Sequence, residues 1–290
     1  MQKKRAVVSL LAGLAAFVIL GLGGTSWGKI VAWYEFLALF ESLDRNAQGY
    51  GEYRHRETGI VMVCLPGGEF DMGSPPGEAS RGGDEGPVHT VTLSPFLIAK
   101  YEVTTKEYER VMAGHATLFS APSYYIGDNL PVSDVSWDDL HLEDGFLDRT
   151  GLSLPSEAQW EYACRAGTSG PYAGTGNLGE MGWYKDNSNG RTPHPVGWKL
   201  ANQFGLHDMH GNVLEWCEDG YERAFYGKPG ARLPNPLAAP GEINSGLRGA
   251  VYRGGCFLLS ALLARSACRG SENGCDTSVA WGFRPVRPLP

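Results

Sequence analysis

The chain lacks internal repeats, low-complexity tracts and any basic stripe beyond its first five residues. Without repeats it is no solenoid or array, and with no low-complexity stretch no linker divides its main body. The missing basic stripe, with a net charge of −7, counts against nucleic acid as a partner. None of the six cysteines (Cys64, Cys164, Cys217, Cys256, Cys268, Cys275) sits in a C-x-x-C pair, which counts against structural zinc. The acidic excess is not gathered into a tail and reads as ordinary solubility.

Glycine is abundant instead. Its 40 residues are about twice the share expected from the average of roughly 7%. With 18 prolines and 8 tryptophans, this predicts short elements joined by long structured loops with aromatic anchors. Hydrophobic residues make up 42% of the chain, enough for a packed core.

Lys3, Lys4 and Arg5 precede an uncharged run, Ala6 to Gly24, that reaches the roughly 18 residues of a membrane-span candidate. A signal-peptide core reads similarly, but no clear A-x-A site follows. The reading is an uncleaved anchor over 1–28, with the rest extracytoplasmic, at the cell surface or in the periplasm. In such a compartment the cysteines are either bridged or small buried apolar residues.

Residues 29–58 are expected to form a juxtamembrane helix (Ile30–Phe40) and a polar linker, and 59–290 one domain. Strands are expected at Ile60–Val63 and Glu69–Met72 around the turn Pro66-Gly67-Gly68, and at Val88–Leu93. Helices are expected over Lys106–Met112, capped by Thr104 or Thr105, and from Ser136 to about Arg149. A third covers Pro155–Ala163, with Pro155 in its first turn and Trp160, Ala163 and Cys164 on a buried face.

Eight blocks, in order over about 220 residues, carry a family resemblance. They begin with Pro66-Gly67-Gly68-Glu69-Phe70-Asp71-Met72-Gly73, Glu85-Gly86-Pro87-Val88-His89 and Tyr101-Glu102-Val103-Thr104. Next are Pro131-Val132-Ser133-Asp134-Val135-Ser136-Trp137 and Leu154-Pro155-Ser156-Glu157-Ala158-Gln159-Trp160-Glu161-Tyr162-Ala163. The last are Gly205-Leu206-His207-Asp208-Met209-His210-Gly211-Asn212-Val213-Leu214-Glu215-Trp216, Arg253-Gly254-Gly255 and Gly282-Phe283-Arg284. Together they resemble the formylglycine-generating enzyme (sulfatase-modifying factor) family. The resemblance implies an α+β, C-type-lectin-like fold low in regular structure.

It also implies a structural calcium at Asp208, Gly211, Val213 and Glu215, two carboxylates and two carbonyls, which are oxygen donors of the kind calcium takes. Asp208 stands where the family usually has asparagine. In the alternative, Asp208 caps the turn and Glu215 pairs with an arginine. His207-x-x-His210 is a weaker transition-metal pattern, and a second calcium site near Asn187–Ser188 matches poorly.

The family's enzymes bind copper through paired cysteines after the Gly-Gly-Ser motif. Here the motif serine is Cys256, and the catalytic positions fall at Leu259 and Ala264, which cannot ligate copper. The spacing of twelve between Cys256 and Cys268 is wrong for that pair. Cys164 matches a position bridged in some relatives, but its partner position is Pro285. The seven histidines (His55, His89, His115, His141, His194, His207, His210) show no iron-binding cluster. Neither copper nor iron is expected.

Cys256 to Ala280 lacks Lys, Gln, Met and Trp, and apart from Glu272 every residue can be encoded by a codon ending in a pyrimidine. It resembles the variable region of diversity-generating retroelement target proteins, some of which carry this fold. That resemblance casts Arg265, Arg269 and Arg284 as fixed scaffold. It places Phe257, Leu258, Leu259, Ser260, Leu262, Leu263, Cys268, Gly270 and Ser271 on a ligand-binding face within 253–287. Leucines on exposed loops would mark an interaction site for a protein or other surface ligand; the bland alternative is a buried strand and loop.

The leading functional reading is therefore a membrane-anchored ligand-binding module. The alternatives are an oxidase or thiol-modifying enzyme with a rebuilt site, motivated by family alone, and a non-catalytic assembly partner.

Overall fold

A computed structural model describes residues 26–113, 125, 127–189, 191–239 and 249–290, less the side chains of Ser26 and Trp27. The expected anchor run Ala6–Gly24 lies outside the described residues. Among those described, no helix is long and apolar enough to cross a membrane. The helix expected at Ile30–Phe40 is observed as α1 (Ser26–Leu39), part of a unit separate from residues 40–289.

Residues 40–289 are a mixed α+β unit with two main sheets. Strands β1 (Phe40–Arg45), β2 (Gly51–His55) and β3 (Val61–Leu65) run antiparallel. The sheet is completed by β6 (Phe96–Ala99) and β11 (Val286–Pro288), in the order β1-β2-β3-β6-β11. Residues 41–57, read from sequence as a linker, thus supply two strands. Their one wet face gives β1 the pattern of a buried Phe40 followed by exposed Glu41 and Ser42, so the apolar signal is weak.

Strands β4 (Gly68–Met72) and β5 (His89–Leu93) form a separate two-stranded ribbon. Along β5 the side chains alternate, with His89, Val91 and Leu93 buried and Thr90 and Thr92 exposed. The second large sheet has the order β10-β7-β8-β9: β7 (Leu214–Gly220), β8 (Ala250–Arg253), β9 (Arg269–Glu272) and β10 (Trp281–Phe283), with β10 parallel to β7.

Helix α2 (Thr105–Met112) carries the expected Thr104 capping box with Glu107. The expected 136–149 helix is instead two short ones, α3 (Trp137–His141) and α4 (Phe146–Thr150). They are split at Asp144, which has φ +64°, and at Gly145, where a Cβ would lie 2.8 Å from the carbonyls of Asp139 and Leu142.

Helix α5 (Glu157–Arg165) starts after Ser156, whose Oγ accepts from Gln159 N while Gln159 Oε1 accepts from Ser156 N. Pro155 therefore precedes the cap rather than sitting in the first turn. Trp160, Ala163 and Cys164 face one core with Val63, Phe96, Ile98, Met209, Cys217 and Val251. The last α-helix among the described residues, α6 (Leu178–Met181), is a single turn capped by Asn177.

Candidate functional site

Helix α5 presents its carboxylates inward. Glu157, Glu161 and Arg165 lie at i, i+4 spacing, so they share a face, and all three are buried. Glu161 accepts from Gly73 N (2.8 Å), Arg165 Nε (2.8 Å) and Arg253 Nη2. Glu157 accepts from Arg269 Nε (2.8 Å) and Nη2 (2.5 Å) and from the Tyr226 hydroxyl (3.2 Å).

The C-terminal segment is clamped through four such arginines. Arg253 also donates to the carbonyls of Ser266, Ala267 and Cys268. Arg265 holds Glu85 through two nitrogens (2.6 and 2.8 Å) and Glu78 (2.6 Å). Arg284 grips both oxygens of Glu215 and donates to the carbonyls of Ala99 and His207. Burial alone would raise the pKa of Glu161, but Arg253 and Arg165 hold it below the usual carboxylate value.

Between Arg253 and Arg265 the chain makes a tight loop. Gly254 and Gly255 have φ of +97° and +74°, and a Cβ on Gly255 would lie 2.8 Å from Ala264 Cα. A 3₁₀ turn, Ala261–Ala264, closes the loop. Hydrogen bonds to its backbone pin it from below: Phe257 N donates to Asn212 O (2.9 Å), Ser188 Oγ to Phe257 O (2.7 Å) and Lys185 N to Leu259 O (2.9 Å).

Of the nine residues expected on a binding face, Leu258, Ser260, Leu262 and Leu263 are exposed, the leucines by 40–49%. Leu259, Leu263, Cys268 and Gly270 line one small cavity of about 70 Å³, floored by Leu214 and Tyr252. Ser271 is half-buried on β9.

One of the nine is corrected. Phe257 is fully buried, with its ring edge-on to Tyr125 and packed with Leu214, Cys256 and Ala280. It is a core aromatic whose backbone bonds fix it inward. At Gly270 a Cβ would lie 2.4 Å from the Tyr252 ring, so the absence of a side chain there makes room for Tyr252 beside it in the cavity lining.

All six cysteines are free. Burial raises the thiol pKa of Cys164 to about 12 and of Cys256 to about 11, and raises those of Cys217 and Cys268 as well, so none of these is a ready thiolate. Cys164 Sγ lies 3.7 Å from His210 Nε2, yet that nitrogen accepts from Ala173 N while Nδ1 donates to Ala264 O. Both ring nitrogens are occupied, and burial lowers the imidazole pKa to about 4. His210 is a neutral strut between Ala173 and the loop, not a base. His207 turns elsewhere, with Nδ1 bonded to Lys199 O and its ring against Tyr101. The His207-x-x-His210 metal pattern therefore does not converge. Among the described residues, no group of three His, Cys, Asp or Glu side chains could hold a metal ion by itself.

The predicted calcium turn is tightly built. Asp208 and Asn212 have φ of +60° and +64°, and at Gly211 (φ +137°) a Cβ would lie 2.0 Å from Trp183 O. Asp208 is buried; Oδ2 accepts from Gly197 N (2.6 Å), and Oδ1 has no hydrogen-bond partner. Burial first, with Glu215 adding to it, raises its pKa to about 6.

Glu102, which sequence reasoning left without a role, lies against the same turn. Its oxygens accept from Asn212 Nδ2 (2.6 Å) and Val213 N (3.0 Å), and burial, Asp208 and Glu215 push its pKa well up. The only signal for it was its place in the Tyr101–Thr104 block. An orphaned carboxylate oxygen in a cluster of three carboxylates and one guanidinium suits a hard cation at Asp208. Glu215 fits that role less well, because Arg284 and Trp160 Nε1 (2.7 Å) take up both its oxygens. That is the ion-pair arrangement the sequence left as the alternative.

A lectin-like α+β scaffold with a clamped C-terminal loop is the class these observations define. The chain belongs to the sulfatase-modifying factor enzyme 1-like domain family, whose model matches residues 49–289. It is similar to the formylglycine-generating enzyme of Streptomyces coelicolor, with 30% identity over 77% of this chain and 88% of that enzyme. It is equally similar (30%) to the serine/threonine-protein kinase Pkn1 of Chlamydia trachomatis over 79% of this chain, but spans only 38% of the kinase's length. Among solved structures, PvdO from Pseudomonas aeruginosa matches with a TM-score of 0.73 and 28% identity, covering 82% of this chain and 98% of PvdO. Variable protein 1 of Treponema denticola shares the fold at a TM-score of 0.63 and 23% identity, over 87% and 99% of the two chains. The expected fold is thus found.

Proposed function

We propose that this family member is a non-catalytic binding module, held outside the cytoplasm by its N-terminal segment, and that its leucine loop meets a protein ligand. The carrying observation is the loop itself: Leu258, Leu262 and Leu263 stand exposed on a backbone clamped at both ends by buried arginine–carboxylate pairs. An apolar cluster on a rigid support suits protein binding, because little side-chain or loop entropy is lost on docking. Leu259 and Ala264 at the positions of the oxidase cysteines support the non-catalytic side of this reading.

The retroelement version extends it. Leu258, Ser260, Leu262 and Leu263 would vary between copies while Arg253, Arg265, Arg269 and Arg284 stay fixed. A neighbouring reverse transcriptase and a near-copy of the gene's 3′ end are expected; a gene without both rules out that version alone. For the binding module itself, copper-loaded protein should consume no oxygen with a thiol peptide. Stoichiometric copper binding with turnover would replace the module by an oxidase with a rebuilt site.

Calcium belongs to the same proposal. Asp208, with the carbonyls of Gly211 and Val213, would hold the ion, which would neutralise a buried carboxylate cluster and stiffen the turn beneath the loop.

A further inference from the structure

Among the described residues, the ribbon β4–β5 is open on one side. β4 pairs with β5 from Gly68↔Leu93 to Met72↔His89, and no other strand among the described residues pairs with its second edge. Along β4, between the strand and the end of α5, lies a cleft of about 480 Å³, remote in sequence from the leucine loop. An unpaired edge beside a cleft is the setting for strand addition, in which backbone bonds give affinity and alternate side chains give specificity.

The two faces of β4 differ in chemistry. On one, Phe70 starts a continuous aromatic wall: Phe70 on Tyr162 (5.5 Å), Tyr162 on Phe204 (5.2 Å) and Phe204 on Tyr50 (5.1 Å). On the other, Glu69 and Asp71 are exposed, two residues apart. Each carboxylate has one oxygen bonded to a threonine of β5, Asp71 to Thr90 (2.9 Å) and Glu69 to Thr92 (3.5 Å). Neither forms an ion pair among the described residues. Among the described residues the one cation lining the cleft, Arg165, is turned inward: it pairs with Glu161 (2.8 Å) and donates to Gly73 O (2.8 Å). The cleft therefore offers an unpaired backbone edge, an apolar wall and two uncompensated negative charges at the spacing of alternate strand residues.

We infer that the β4 edge is a second binding site, which takes an extended basic peptide segment as an added strand. Residues of that segment facing Phe70 and Tyr162 are apolar, and those between them, facing Glu69 and Asp71, are lysine or arginine. The site is independent of the leucine-loop reading.

The probe is an end-blocked, fluorescein-labelled heptapeptide alternating lysine and valine, titrated with the full chain at low salt. A saturable rise in anisotropy is expected. Backbone N-methylation on alternate residues, made in both registers, should abolish binding in the register facing β4. Glu69→Lys/Asp71→Lys should weaken binding by at least about tenfold, and Glu69→Gln/Asp71→Asn by less. Both side-chain pairs are exposed, so an unchanged melting temperature serves as the folding control. No saturable binding, equal binding of both N-methylated peptides and the parent, or an affinity unmoved by charge reversal would each overturn the inference.

Discussion

From Arg253 to Arg284 the chain buries its arginines and exposes three of its four leucines. Arg253, Arg265, Arg269 and Arg284 are nearly inaccessible, whereas Leu258, Leu262 and Leu263 lie 40–49% exposed. A loop held by its own apolar side chains would have to keep them. This one is held from outside, by Glu78 and Glu85 for Arg265, by α5 for Arg253 and Arg269, and by Glu215 for Arg284. Such pairs pay a desolvation cost, so they are weak evidence for net stability; what they fix is position. The separation leaves the loop's outer side chains free to change without loss of the fold.

The sharpest way to break that arrangement is Glu161→Gln, which leaves Arg253 and Arg165 buried against a neutral amide. A loss of about 3–5 kcal/mol in urea unfolding is expected. Arg253 and Arg165 hold the folded pKa of Glu161 below the ordinary carboxylate value, so its contribution is fully present above that ordinary value and is lost as pH falls through the folded one. The gap between the wild type and the variant should therefore close in acid. A gap constant from pH 7 to 2 would mean that the pair does not anchor the loop.

Phe257→Ala tests the same loop from its buried side. Removal of a fully buried aromatic should cost about 3–5 kcal/mol, read by the same unfolding curves. A cost below about 1 kcal/mol would return Phe257 to the exposed face that its sequence position suggested.

How much of this was legible beforehand varies with the range of the interaction. The α2 cap is local, three residues from Thr104 to Glu107, and was readable, whereas the Ser156 cap of α5 was not, because Pro155 suggested an earlier start. The scaffold role of Arg265, Arg269 and Arg284 was readable too, but not their partners: Arg265 and Glu85 lie 180 positions apart. The break between α3 and α4 depends on a left-handed Asp144 and on carbonyls crowding Gly145, neither of which leaves a periodic signal. Phe257 was misplaced because the codon pattern of its segment does not report which way a side chain points. Glu102 was passed over because a lone glutamate carries no spacing; its place beside Asp208 and Asn212 exists only in three dimensions.

Calcium should sharpen the contrast by stiffening the turn whose Asn212 carbonyl holds Phe257. If Asp208 binds the ion, saturation at about a hundred times Kd adds about 2.7 kcal/mol. That corresponds to a rise in Tm of several degrees over chelator-treated protein. Asp208→Ala should remove the rise, and equal melting temperatures with calcium and with chelator would refute the assignment.

The smallest effect on stability should come from the feature most important to the proposed function. Leu258→Ser, Leu262→Ser and Leu263→Ser each replace a side chain that is 40–49% exposed, so each should change unfolding free energy by only about 0.5 kcal/mol. The triple variant should nonetheless lose most of its binding of an apolar dye such as bis-ANS, because the exposed cluster is what such a dye reports. If the triple variant unfolds with a loss near that of Phe257→Ala, the leucines are part of the core and the loop is not a display surface. If stability holds and dye binding falls, the outer face of the loop is separable from the clamp beneath it, as ligand variation at fixed fold requires.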